Sequence, residues 1–190
     1  MRYDELMNLL VYRRSCRDFQ DKNVPDGLVL KIMEAGLWCP SSHNRQDTII
    51  IRVKDNELKE KLRKSTSLIM TNGPDFDPFY GAPEILIVAR KNGTDSNRDL
   101  GNMDGTLVMS NMILAAETLG LATCWVNTAQ INHMFTWRVL PDIISKATRT
   151  DIPKPDDDIP YIGVGYLALG YRNGFPDTPL PRKNKRIFEI

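Results

Sequence analysis

The segment Leu100 to Leu119 sets the tightest limit on what this chain can become. From Leu107 to Ala116 it is apolar around nearly the whole helical circumference, interrupted only by Ser110 and Asn111. A helix at a protein surface shows one apolar stripe. A helix apolar on every side has to be enclosed by a large core or by an oligomer interface. Gly120 is placed to end it, since glycine takes the left-handed C-cap conformation freely. The 190 residues are enough for one domain with a substantial core around such a helix.

The other segments supply the layers. Asp4 to Arg14 reads as an amphipathic helix with Leu6, Leu9 and Leu10 on one face and basic residues at its end, where they suit the helix dipole. Asp26 to Trp38 reads as a second helix, started by Pro25 and Asp26 and stopped by Pro40. Thr48 to Val53 is a β-branched run and a strand. Asp55 to Lys64 reads as a short, charged surface helix. Thr71 to Pro83 carries Gly and Pro throughout and is a loop, leading into the buried strand Glu84 to Arg90. A short strand, Thr123 to Asn127, follows the apolar helix. Asn132 to Leu140 is expected to be helical and stopped by Pro141. Residues 149–160 read as a Pro- and Asp-rich loop. Tyr161 to Tyr171 reads as a glycine-softened strand, and the tail from about residue 172 is too proline-rich for a helix. Strands separated by helices indicate an α/β or α+β sandwich, whose topology the order alone leaves open.

Charge and motifs exclude several functions. The formal net charge is +1, so nothing global points to nucleic acid, and an anion site has to be a local cluster. The three cysteines, Cys16, Cys39 and Cys124, are far apart, which argues against a disulfide scaffold or zinc site and suits a reducing cytoplasm. The first residues carry acids and no long apolar run, so they do not read as a signal peptide. No stretch approaches the ~20 apolar residues of a membrane helix. There is no phosphate-binding Gly-x-x-x-x-Gly-Lys loop. Gly163, Gly165 and Gly170 lie inside a strand without dinucleotide-fold spacing. His43 and His133 lack carboxylates at ligand spacing, and Asp156 to Asp158 lack calcium-loop spacing. Any enzyme built here would leave the chemistry to a cofactor.

Three clusters remain. Arg13, Arg14, Ser15 and Arg17 combine guanidinium forks with a hydroxyl, donors matched to phosphate oxygens. Alone, the group reads as a solvated helix end sooner than as a ligand site. The stretch Cys39 to Gln46 is a polar loop rich in donors and acceptors, or simply a turn. The tail carries Arg182, Lys183, Lys185 and Arg186. A phosphate dianion between the two basic clusters would relieve their mutual repulsion.

Five short motifs in a fixed order resemble the FMN-dependent nitroreductase family. They are "RRSCRDF" (Arg13 to Phe19), "PSSHNRQ" (Pro40 to Gln46), "GAPEILIV" (Gly81 to Val88), "LGLATCW" (Leu119 to Trp125) and "LGY" (Leu169 to Tyr171) before a basic tail. The resemblance implies a single domain over 1–190, with a central, mostly antiparallel sheet flanked by helices. It implies an intertwined homodimer with FMN at the interface, the tail docking on the partner or on the phosphate site. Arg13, Ser15 and Arg17 would hold the phosphate, ribityl chain and pyrimidine edge. Lys183 and Lys185, with Arg182 close behind, would complete the phosphate site. Pro40, Ser41, Ser42 and Asn44 would reach the flavin from the partner subunit. Trp125, Val126, Asn127 and Thr128 would pass along the ring, with a backbone N–H of Asn127 or Thr128 directed at flavin N5. Arg13 and Arg17 are the principal candidates, Arg14 being the one that solvation alone could explain.

The activity so implied is hydride transfer from NADH or NADPH to the flavin and on to nitroaromatics, quinones or similar acceptors. The alternatives are a specialised relative of the same fold, such as a dehalogenase or flavin-fragmenting enzyme, and a phosphate-ligand binding module without turnover. The substrate loop is placed at Thr71 to Gly81 or around Phe135 and Trp137, and the aromatics of both read equally as core or dimer contacts. Two departures stand out: Gln46 is followed by Asp47 and Thr48 instead of Pro-Trp, and the tail has lysine where the family often has arginine. Lysine keeps the charge but loses the bidentate fork.

Overall fold

The computed structural model describes residues 2–70, 73, 75–92, 98–128, 139–149, 161–184 and 186–189. Among these, helices α1 (Tyr3–Tyr12), α2 (Asp26–Leu37), α3 (Asn56–Met70), α4 (Arg98–Thr118) and α5 (Val139–Thr148) surround strands β1 (Thr48–Arg52), β2 (Glu84–Lys91), β3 (Ala122–Val126) and β4 (Tyr161–Gly170). The strands form one sheet in the order β1-β2-β4-β3, and every pairing is antiparallel. The sheet is the middle of three layers.

Strand β2 shows why. Its residues are buried from Glu84 to Arg90 without alternation. An antiparallel strand reads this way only if both faces are covered. Ile85, Ile87 and Ala89 join one core with Leu62 of α3 and Leu140, Ile143 and Ile144 of α5. Leu86 and Val88 join the other with Val29 and Ile32 of α2 and Val108, Met109 and Met112 of α4. A bulge between Val88 and Ala89 sets Val164 of β4 out of pairing. A half-buried Arg52 binds Glu84 through two nitrogens at 2.8 and 2.6 Å and Asp26 at 2.8 Å, tying β1 and β2 to the start of α2.

Several elements differ from the sequence reading. Helix α1 stops at Tyr12, so the arginines lie beyond it and none stands in its last turn. Leu6 and Leu10 are exposed and Leu9 half-buried, and no residue of α1 is buried in the single chain. Helix α3 runs six residues past Lys64 and is not merely a surface element, since Leu62, Ser65, Thr66 and Ser67 are buried. Small hydroxyl residues allow close approach to the core there but carry no apolar signal. Pro141 does not stop a helix; it stands in the first turn of α5. A first-turn proline forfeits no intrahelical hydrogen bond, so it marks a start as readily as a stop. Residues 132–138 of the expected helix and most of the loop at 149–160 lie outside the described residues. Gly120 ends α4 as expected, with φ +71°. Helix α4 is enclosed only in part: Met103 and Leu107 stay exposed.

Candidate functional site

Beyond Tyr12 the chain turns and runs along the outer edge of β3. Ser15 pairs with Thr123 in an isolated parallel bridge, and the Cys16 N–H donates to the Thr123 carbonyl at 2.8 Å. Extended backbone alternates its side chains. Cys16 therefore plugs into the core between the exposed Ser15 and Arg17, and the exposed Asp18 after it breaks the alternation before Phe19, which is buried too. The segment is pinned further along, with Gln20 N–H to the Tyr171 carbonyl at 2.8 Å and Asn173 N–H to the Asp18 carbonyl at 3.0 Å. Its arginines thus stand on a fixed rail, not a frayed helix end. Arg13 and Arg14 are half-buried. The Arg14 guanidinium donates to the Val11 carbonyl, and the Arg14 carbonyl accepts from Arg172 Nη2 at 3.1 Å.

The second cluster is also built, not loose. Ser42 N–H donates to the Asp104 carboxylate at 3.0 and 3.2 Å, fastening the loop to α4. Gln46 N–H donates to Ser41 Oγ at 3.1 Å, and Gln46 Nε2 to Asn44 Oδ1 at 2.9 Å. His43, Asn44 and Gln46 each hold φ at 53°, a conformation uncommon outside glycine. A cavity of about 260 Å³ lies here, lined by Cys39, Ser41, Gln46 and Asp104 among others. Pro40 and Asn44 are exposed, Ser41 and Ser42 half-buried. The departure at Asp47 keeps the backbone in use: its carbonyl accepts from Lys91 N–H at 3.0 Å, extending the β1–β2 pairing.

The end of β3 holds the third group. Val126 is buried in the core shared with α3 and α5, so only its backbone is available to a ligand. Asn127 is exposed, and Trp125 and Thr128 are half-buried. Among the described residues, the buried atoms Trp125 Nε1, Thr128 Oγ1, Thr123 Oγ1 and Arg14 Nε have no hydrogen-bond partner. An unpaired buried polar atom costs about 1–3 kcal/mol, so four in and beside one edge strand are a reason to look for a polar ligand. Trp125 is held by a glycine across the sheet: a Cβ on Gly165 would lie 2.3 Å from Trp125 Nε1. Gly165→Ala is expected to displace the indole and to cost about 1–3 kcal/mol, read from chemical denaturation alongside tryptophan fluorescence.

The tail passes α1. Leu180, Pro181 and Arg182 line a cleft with Met7, Leu10 and Val11 of the helix that leads into Arg13. Arg182, Lys183 and Arg186 are exposed and share a concave surface. Lys185 lies outside the described residues, as do Phe135 and Trp137.

The other substrate-loop candidate is tied to the far side of the sheet. Asp77 accepts from Phe79 N–H at 2.9 Å and from Gly81 N–H at 2.6 Å, and it pairs with Arg63 of α3. Phe79 is wholly buried, edge-on to Tyr166 with ring centroids 5.6 Å apart. Its ring is core.

Three residues that the motifs did not point to organise the site: Asp104, Glu117 and Arg172. Arg172 directly follows the Leu-Gly-Tyr motif. Asp104 and Glu117 carry no sequence signal, since acids on a long helix ordinarily face water. Burial pushes the Glu117 carboxyl above its usual range, against the pull of Arg172, Arg13 and Arg14.

The chain matches the sequence model of the Nitroreductase family over residues 10–140. A Methanothermobacter thermautotrophicus protein described as an NADH dehydrogenase/NAD(P)H nitroreductase is 29% identical over 64% of this chain and 60% of its own length. An NADPH-dependent oxidoreductase of Staphylococcus aureus is 24% identical over 82% of this chain and 66% of its own. The chain thus spans about two thirds or less of these relatives. The fold matches an FMN-bound nitroreductase of Bacteroides fragilis with TM-score 0.77 and 23% identity, over 98% of both chains. It matches an FMN-bound nitroreductase of Desulfitobacterium hafniense with TM-score 0.76 and 24% identity, over 100% of both. Three-layer architecture, motif order and family match agree: the chain belongs to the nitroreductase family.

Proposed function

We propose that this protein is an FMN-dependent oxidoreductase that draws hydride from NADH or NADPH and passes electrons to nitroaromatics, quinones or similar acceptors in a ping-pong cycle. The observation that carries the reading is the arginine segment railed along β3, beside buried polar atoms that have no partner of their own. Those residues fit the cofactor: guanidinium and hydroxyl donors for a phosphate at one end, and a strand terminus with spare donors at the other. Bound FMN supplies a ring that accepts hydride and returns electrons singly or in pairs.

The chain's own part is to bind, orient and enclose. Arg13, Ser15 and Arg17 offer phosphate and ribityl contacts, and Arg182, Lys183 and Lys185 add positive charge. Asn127 and Thr128 offer backbone donors to the ring. Pro40, Ser41, Ser42 and Asn44 act from a second subunit. That dimer is supported by the apolar surface a single chain leaves bare: Leu6 and Leu10 of α1, Leu37 and Trp38 at the end of α2, Met103 and Leu107 of α4. Exposed apolar side chains on three helices are the kind of surface that a partner subunit would cover.

The purified protein is expected to be yellow, and anaerobic NADH or NADPH to bleach it. A colourless protein that takes up no FMN would refute the reading. Stripping the flavin is expected to lower the melting temperature. Ligand at a hundred times its Kd stabilises by about 2.7 kcal/mol, and scanning calorimetry of holo and apo protein measures the loss.

A further inference from the structure

We infer that Glu117 is an internal counter-ion to the arginine segment, one that weakens phosphate binding by subtracting from the segment's positive field. The inference rests on the FMN-phosphate reading above.

Glu117 stands at the end of α4 with about a fifth of its side chain exposed, 3.9 Å from Arg172 Nη2. That distance is beyond hydrogen bonding, and its buried Oε1 has no hydrogen-bond partner among the described residues. Arg172 Nη2 meanwhile donates to the Arg14 carbonyl at 3.1 Å. The acid therefore lies beside the Arg172 guanidinium, which reaches the backbone of the arginine segment, and the charges of Arg13 and Arg14 also act on it. Positive charges gathered along this segment repel one another. A carboxylate whose field reaches them reduces that repulsion.

A carboxylate so placed has two opposing effects on an incoming phosphate. It could position the arginines, which would help, or subtract from their field, which would hinder. The backbone bonds decide between them. The segment is held by the Cys16–Thr123, Gln20–Tyr171 and Asn173–Asp18 hydrogen bonds, none of which involves Glu117. Arg172 reaches the Arg14 carbonyl directly. Neutralising Glu117 leaves this scaffold standing and removes only the negative charge. The net effect is on the field.

The test compares apo wild type with Glu117→Gln, which keeps the shape and loses the charge. Dissociation constants for FMN and for riboflavin, which lacks the phosphate, are measured at pH 8 and low salt. The variant is expected to bind FMN on the order of fivefold tighter, an advantage that shrinks in salt, with riboflavin affinity unchanged. A merely structural role would weaken both ligands together. FMN binding that is unchanged or weaker in the variant overturns the proposal. If wild type binds no flavin at all, the proposed function fails separately. Protection by inorganic phosphate against thermal unfolding, compared in the two proteins, then decides the counter-ion question alone. Should Glu117→Gln fail to fold, carbon-13 titration of the Glu117 carboxyl in the wild-type protein replaces it. A pKa that rises further on phosphate addition supports the proposal, and one that does not move overturns it.

Discussion

Replacing Arg13 and Arg17 together by alanine is expected to lower FMN affinity by about a hundredfold or more while leaving the fold intact. Each arginine contributes at most one or two charge-assisted hydrogen bonds to a phosphate or ring oxygen, worth about 1.5–3 kcal/mol apiece. Two lost together reach the hundredfold range without any change in shape. Neither side chain belongs to the core. Arg17 is exposed and Arg13 half-buried, and the backbone carrying them is fixed by Cys16, Gln20 and Asn173. Fluorescence titration of the apo variant with FMN, with far-UV circular dichroism as the folding control, measures the effect. Wild-type affinity in the double variant would remove the segment from the cofactor site. The single Arg14→Ala variant is the internal comparison, because the Val11 carbonyl already engages one nitrogen of the Arg14 guanidinium.

Phe79→Ala is expected to be the most destabilising single change in the loop before β2, at about 3–5 kcal/mol in urea or guanidinium unfolding. The ring is wholly buried against Tyr166, and the Arg63 guanidinium lies 5.7 Å from its centroid. Truncation opens a cavity beneath the sheet and removes an aromatic edge contact. It does so on the face shared with α3 and α5. FMN affinity of the folded variant is therefore expected to stay near wild type. A variant of normal stability with altered substrate preference would restore this loop as a substrate element.

Much of the fold was legible because its signals are local. The run "EILIVAR" is apolar at consecutive positions, and both faces of β2 are in fact covered. Gly120 needs a positive φ, and the residue type announces it. What misled is equally specific. Ser65, Thr66 and Ser67 are buried without being apolar, so α3 looked shorter than it is. Pro141 can open a helix as well as close one, and nothing within a few residues says which.

The site divides along the same line. Arg13 to Phe19, Pro40 to Gln46 and Leu119 to Trp125 are visible as motifs because each keeps its characteristic residue types within a few consecutive positions. The sequence by itself determined the donors, their order and the apolar helix that requires enclosure. Only the tertiary structure decided that the arginines ride an edge strand, that Asp104 fastens the serine loop, and that Glu117 and Arg172 meet the arginine segment. Those partners lie tens of residues or more apart in the chain. Whether a charge faces water or another charge is settled by the packing of helix on sheet, and no local pattern of residues carries that information.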